Sequence, residues 1–497
     1  MNAASIFAKE PSEVLARLAR LRAEDAPTCG GSVLSYIYDS GLREIEALAG
    51  DAMAAVQQVN GLDPTTFPSV AVMEREVLGF AFRVLHADEQ TAGSVTTGGT
   101  ESCLLAVKTA RDVWRAAGGI GTPRIVAPIT AHAAFRKAAH YFSLDFDAVA
   151  VDPSTGAVSA QALINRIGPD VAIMVLSAPS YPFAGLDPVA EVAAACEAAG
   201  VAVHVDACIG GWVLPWWTTT DGRTPSLWDF RVPGVTSLSA DLHKFGYAPK
   251  GASVLLQRDL DRQRHQYFAT TGWPGYPVIN PTILGSKSAA PLAAAWAITQ
   301  TLGEAGFQAL SESCQRSTNA LWRAVDAIEG LHVVGDPVGP LLAVARDTTV
   351  APEHQVDPHH WADQLRELGW QLQPQPGLTQ PDGTYLAPTT HLTITPVTEG
   401  RLDQLAEALA TAADQVRGVP PIDRRQVLAE FPFGSAPIRD SETAFQVLRG
   451  AGLLGESGQT TLPDRMAPIV ALLEALPSET GERLLIELFG RLFTPDR

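Results

Sequence analysis

The segment Ser237–Gly251, SLSADLHKFGYAPKG, sets a His-Lys pair, His243 and Lys244, at the end of an apolar strand-like run and just ahead of a glycine turn. A lysine amine beside an imidazole, hemmed in by Phe245, Tyr247 and apolar chain, is placed to lose its proton and attack an aldehyde. Taken alone, such a pair is more often the charged end of a surface strand. Three further segments change that reading. Residues 201–211, VAVHVDACIGG, form an unbroken apolar strand ending in Asp206 and a Gly-Gly turn. A carboxylate at the C-terminal tip of a buried parallel strand lies where open α/β sheets bind ligands, and it can keep a ring nitrogen protonated; a cap for the following segment is the plainer use. In SVTTGGTESCLLAVKTAR, a glycine loop (Thr97, Gly98, Gly99, Thr100) feeds directly into a helix with Glu101 in its first turn. Free N–H groups and the positive helix end make that turn a phosphate cradle. In ITAHAAFRKAAHYF, His132 follows the apolar strand RIVAPIT and opens a helix, where its imidazole can lie flat on a ring, whereas His140 reads as a helix-face residue.

These residues need a rigid layer to hold them. From Phe67 to about Gly303, strand-like runs (RIVAPIT, AVAV, VAIMVL, VAVHVDA, VTSLSAD, ASVLLQ) alternate with helical patterns. The alternation predicts an α/β fold, a mainly parallel sheet with helices on both faces, and every chemical residue falls on a strand end. We expect four parts: a helical N-terminal arm (1–60), a large domain (61–303), a smaller α+β domain (304–418) built on LHVVGDP, GPLLAVARD, HLTITPV and the helix PHHWADQLRELGW, and a helical extension (419–497) opened by the proline-rich joint VRGVPPIDRR. His359 and His360 lead their helix without a metal-ligand partner at i+4 and read as a solvated helix start. The extension carries amphipathic helices and no pattern suggesting chemistry.

Composition excludes several classes. The net charge of -18, with 36 Lys and Arg against 54 Asp and Glu, argues against a nucleic-acid or anionic-membrane surface. Five cysteines, Cys29, Cys103, Cys196, Cys208 and Cys314, lack CxxC spacing and read as the thiols of a cytoplasmic protein, and nothing suggests a metal site. The first 25 residues form an amphipathic helix with Leu15, Leu18 and Leu21 on one face, without a signal peptide's apolar run, and no window suits a membrane span or anchor.

With cradle, His132, Asp206 and Lys244 in that order, the chain resembles the sphingosine-1-phosphate lyase group of fold-type I pyridoxal-phosphate enzymes, relatives of the group II amino-acid decarboxylases. FPSVAVMEREV, TTGGTESCLLAVKTAR, HAAFRKAAHYF, HVDACIGGW and SADLHKFGYAPKG carry the likeness across most of residues 30–300. The resemblance implies pyridoxal 5'-phosphate as cofactor, joined to Lys244, with Asp206 on its pyridine nitrogen and His132 stacked on its ring. Gly99, Thr100 and His243 would hold its phosphate. Lys250 matches a second family lysine acting near the substrate, and Tyr38, in GGSVLSYIYDSG, matches an active-site tyrosine. The likeness also implies a homodimer with shared sites, the arm wrapping the partner and GWPGYPVINPTILGSK reaching across, and it is nearest the soluble bacterial members. Three departures bear on substrate. Asp63 stands where the family commonly has a histidine that recognises the substrate phosphate. Leu34 and Tyr36 replace small residues and narrow the pocket, and Lys287 replaces an arginine. We therefore expect retro-aldol cleavage of a β-hydroxy amine, sphingoid-phosphate-like or smaller and with or without the phosphate, to an aldehyde and an amine, with amino-acid decarboxylation as the alternative.

Overall fold

The structure, a computed structural model, describes residues 7–219, 222–430, 438, 440–454 and 465–495; the first six residues of the arm and parts of the C-terminal extension lie outside them. Seven strands form the main sheet: β1 (Ala92–Thr96), β2 (Arg124–Pro128), β3 (Asp145–Val149), β4 (Val171–Ser177), β5 (Ala202–Asp206), β6 (Ser237–Ala240) and β7 (Ser253–Gln257). Their order is β1-β7-β6-β5-β4-β2-β3. β7 runs antiparallel to both its neighbours and the other pairings are parallel. All residues of β4, β5, β6 and β7 are buried, as the unbroken apolar runs require of strands covered on both faces.

Two of these strands differ from the sequence-based expectation for identifiable reasons. β1 lies hidden in AGSVT, too short and too rich in Gly and Ser to announce itself, and it gains its place by pairing with β7. β3 begins at Asp145, ahead of the apolar AVAV run, because register with β2 is set from Arg124↔Asp145 onward.

A long helix, Ala290–Asp326, links the large domain to the smaller one and packs against helices Arg43–Ala55 and Pro68–Val84. It kinks at Gly303 (φ 53°), a conformation glycine tolerates, and it serves both cores: residues as far as Cys314 pack into the large domain, while Leu321 and Val325 near its end join the core of the smaller one. The smaller core gathers Leu321, Trp361, Leu365 and Leu405 beneath a four-stranded antiparallel sheet ordered Leu331–Val333, Leu341–Arg346, Thr389–Thr393, Gln373–Gln375. The last strand is not expected from sequence, since Gln-Pro-Gln has little strand propensity and pairs only as an edge. His359 corrects another expectation: it is buried, with Nε2 within 2.9 Å of the Gln375 carbonyl oxygen, because the paired strands Gln373–Gln375 and Thr389–Thr393 close over it.

At the two ends the packing thins. Helix Pro11–Arg22 buries none of its residues, and Leu15, Leu18 and Leu21 are all exposed. The C-terminal helices close around a small cluster of their own, including Val447, Leu448, Leu472 and Leu484. No helix among the described residues is long and apolar enough to cross a membrane.

Candidate active site

Parallel strands that end side by side expose their last residues to one crevice. Register makes this explicit: Ser177, Asp206 and Ser239 are neighbours across β4, β5 and β6. The turns after these strands, the turn after β1 and a loop from the arm enclose a cleft of about 870 Å³, lined by Tyr36, Tyr38, Gly99, Thr100, His132, Asp206, His243, Lys244 and Lys250 among others. Nine residues singled out from the sequence therefore meet in one cavity.

Lys244 follows β6 in a tight turn, its amide donating to the Asp241 carbonyl. Its ammonium lies 3.0 Å from the carboxylate of Asp241, which is almost completely buried, and His243 Nε2 lies 3.6 Å from the same group. Burial alone would drive the lysine neutral, but Asp241 overrides it and raises its pKa well above the ordinary value. The expectation that Lys244 sheds its proton beside an imidazole is thus reversed in this geometry. Sequence reasoning passes over Asp241 although it stands three residues before the lysine in SADLHK; the sign of its effect depends on the distance, which the string does not give.

Asp206 is buried at the tip of β5, with Oδ1 accepting the Cys208 N–H at 3.1 Å. Behind it His204 is fully buried between the hydroxyls of Ser237 and Ser239, and burial lowers its pKa to about 4, so it is a neutral support. Asp187 accepts the Ser177 N–H at 2.7 Å, and burial raises its pKa to about 7. His132 sits at the mouth with its ring exposed and Nδ1 accepting the Ala134 N–H at 3.2 Å, an orientation that leaves a face free for stacking.

The glycine loop leads directly into a helix. Gly98, at φ 144°, admits no ordinary side chain, and a Cβ there would approach the His243 ring at 3.2 Å. A Cβ on Gly99 would collide with the Asp241 carboxylate, so the helix Gly99–Ala116 can begin here only as glycine. Glu101 lies on the cleft wall and ties two loops together, its carboxylate accepting the Thr97 and Ile283 amides.

On the opposite wall Lys250 donates to the Tyr36 carbonyl (3.1 Å) and lies 4.6 Å from the centre of the Tyr38 ring. Burial, reinforced by the Lys244 charge, lowers its pKa to about 8. Tyr38 packs edge-on against Phe245, and burial pushes its phenol up to about 12. Tyr181, also absent from the sequence-based set, stacks on buried His391 at 4.1 Å and lines the cleft with a hydroxyl that has no partner among the described residues. SAPSYPF carries no charge pattern to mark it; its place after the β4 tip is the available signal.

Two expected substrate residues lie elsewhere. Within one chain Asp63 is no part of the cleft wall: its carboxylate accepts hydrogen bonds from Thr65 and Thr66 in a turn leading to helix Pro68–Val84. Lys287 lines a small adjoining crevice with Glu74, beside rather than within the main cavity.

Whether pyridoxal 5'-phosphate suits this cleft can be judged from its unmet groups. Buried Asp241 Oδ1, His243 Nδ1 and Tyr181 Oη lack partners among the described residues, and the glycine cradle leaves room where any side chain would intrude. Lysine amine, strand-tip carboxylate, stacking imidazole and helix N-terminus supply the groups that an aldehyde, a pyridine nitrogen, a ring and a phosphate need. The donors fit.

The chain's relatives agree with that chemistry. The pyridoxal-dependent decarboxylase conserved domain matches residues 36–344. A second match, to a C-terminal domain of pyridoxal-dependent enzymes named for a helix-turn-helix, covers residues 389–491. Sphingosine-1-phosphate lyase of Drosophila melanogaster is 35% identical over 72% of this chain and 63% of its own length, and that of Dictyostelium discoideum is 33% identical over 71% and 64%. The chain thus spans a little under two thirds of these relatives. The structure of a Burkholderia pseudomallei sphingosine-1-phosphate lyase superposes with a TM-score of 0.75 at 32% identity, covering 83% of this chain and 92% of that one. This chain belongs to the pyridoxal-dependent decarboxylase family of fold-type I enzymes, in its sphingosine-1-phosphate lyase-like group.

Proposed function

We propose that this protein is a pyridoxal-phosphate-dependent lyase that splits the Cα–Cβ bond of a β-hydroxy amine, giving an aldehyde and a smaller amine. The observation that carries the reading is the pairing, within one cleft, of an amine with a pKa of about 8 and a phenol with a pKa of about 12. Bound pyridoxal phosphate supplies an electron sink for the pair released from the breaking bond. Lys244 would anchor it, Asp206 would hold a proton at its ring nitrogen, and His132 would stack on its ring. Near neutral pH Lys250 is partly unprotonated and can take the β-hydroxyl proton as that oxygen becomes the aldehyde carbonyl. Tyr38 keeps its proton and is the donor suited to return one to Cα. Phe142, Leu104, Ile283 and Leu284 give the cleft an apolar wall for a hydrocarbon tail.

Because Asp63 is held in its own turn, the case against a phosphorylated head group loses its support within one chain. We place the protein in the cytoplasm, since Cys103, Cys196, Cys208 and Cys314 are buried free thiols. We also infer a homodimer, supported by the exposed apolar face of Pro11–Arg22 and by the exposed Trp273, Tyr276, Ile279 and Ile283 of the loop beside the cleft. Sedimentation at assay concentration tests the dimer, and an active monomer refutes it. A panel of phosphorylated and unphosphorylated β-hydroxy amines, scored for aldehyde against carbon dioxide release, tests the reaction. Carbon dioxide without aldehyde overturns the lyase reading.

A further inference from the structure

A second cavity, of about 510 Å³, opens far from the chemistry, at the seam where the small domain meets the C-terminal extension. One wall is the small domain's Arg346, His359 and Tyr385; the other is the extension's Arg424, Arg425 and Ala471. Its charges are not equally free. Glu474 is engaged three times over, by the Gly377 amide (2.6 Å), the Tyr385 hydroxyl (3.3 Å) and Arg424 (3.3 Å). The Asp357 carboxylate caps its helix through the amides of His359 and His360, and the Asp423 carboxylate accepts the Arg425 amide. His359 is held by two backbone carbonyls.

Arg346 and Arg425 stand apart. Among the described residues neither guanidinium makes a hydrogen bond or an ion pair, although Arg346 is partly buried at the end of its strand. Arg425 is exposed, but a guanidinium partly withdrawn from water, as that of Arg346 is, is normally matched by carboxylate or phosphate, which its fork geometry binds in bidentate fashion. Among the described residues none of the three acids at hand, Asp357, Asp423 and Glu474, reaches the guanidinium of Arg346 or Arg425, and the remaining surface is apolar or aromatic: Tyr385, Pro388, Ile422, Ala467 and Ala471. Cavities of this size, mostly apolar with a few converging polar groups at a junction between units, are where small molecules bind.

We propose that this seam is a binding site for a small organic anion, a carboxylate or phosphate monoester on an apolar body, held by Arg346 and Arg425 with its body against Tyr385. The occupant would tie the extension to the small domain. That domain's strand Thr389–Thr393 leads back to the cleft, since the Thr389 carbonyl faces His359 in the seam while His391 stacks on Tyr181. The site does not depend on which reaction the cleft performs.

The test uses the full-length, cofactor-loaded protein, titrated calorimetrically with hexanoate in one arm and hexyl phosphate in the other, together with trypsin cleavage at Arg424 and Arg425. Binding of either probe should slow cleavage there. Arg346→Gln should weaken binding by at least about tenfold, as expected for loss of a charged contact, and leave turnover without ligand unchanged. Arg346→Lys should retain part of the affinity. Arg425→Gln probes the opposite wall should Arg346→Gln fail to fold, and Lys250→Gln in the cleft should leave binding intact. The stronger arm identifies the head group. No binding of either probe at millimolar concentration, or undiminished binding in both the Arg346→Gln and Arg425→Gln proteins, overturns the proposal.

Discussion

The floor and the rim of the cleft are built differently. On the floor, Asp206, Asp241 and Lys244 sit at strand tips and in the turn after β6, the two carboxylates buried and the lysine partly so, and each is fixed by backbone or by one another. On the rim, Tyr36 is 61% exposed, Asp63 serves its own turn and Lys287 lies in a neighbouring crevice. A single chain therefore closes the floor around Asp206, Asp241 and Lys244 but leaves the rim of the cleft open. Buried charges cannot be left uncompensated, so their geometry is determined by the fold; exposed ones are solvated at little cost and remain available for other arrangements.

The sharpest way to test that contrast is to break the floor. Lys244→Ala should lower kcat/KM by about 10⁴-fold or more, the scale of losing an essential covalent residue. Borohydride should fix the cofactor to Lys244 in the wild-type protein, and recovery of the label on Lys250 would reassign the lysine. Asp206→Ala should still bind cofactor, more weakly, and lose about 10³-fold in turnover, roughly 4 kcal/mol of stabilisation of developing charge. Near-normal turnover would remove Asp206 from its role.

Lys250 lies between floor and rim. Its neutral fraction grows as pH rises through about 8, so kcat/KM should climb with pH to that value and then level. Lys250→Gln should cost about 10²-fold, within the usual range for general-base catalysis, and abolish that limb. A limb that survives the substitution belongs to another group.

The smallest effect should come from the rim itself. Asp63→Ala should change kcat/KM by less than about twofold for phosphorylated and unphosphorylated substrates alike, as for surface positions remote from the reacting groups. A selective gain with the phosphorylated substrate would show that Asp63 faces a substrate after all, from across a dimer interface, and that the rim is completed by a second chain.

Much of the floor is legible in the amino-acid string. Lys244, Asp206 and His132 each follow or end a short, β-branched apolar run that reads as a buried strand, while the Gly98–Gly99 turn announces itself by its glycines. What does not show there is whatever depends on distance between segments. Asp241 stands in plain view beside Lys244, yet whether a neighbouring carboxylate charges a lysine or leaves it alone is decided by 3.0 Å and by the absence of water. Tyr181 and His391 are far apart along the chain and meet only because the small domain docks on the β4 tip. His359 reads as solvated because its helix start is polar, and it is buried because a strand closes over it.

By itself the sequence determined most of the elements, apart from strands such as Ala92–Thr96 and Gln373–Gln375 that exist only through their pairing, and the identity of the chemical groups, because hydrophobic periodicity and turn residues act over a few neighbours. The tertiary structure alone decided the charge states of Lys244 and Lys250, the exclusion of Asp63 from the cleft of its own chain and the seam around Arg346. Each of these rests on burial and on partners brought from distant segments, and local pattern carries no record of either.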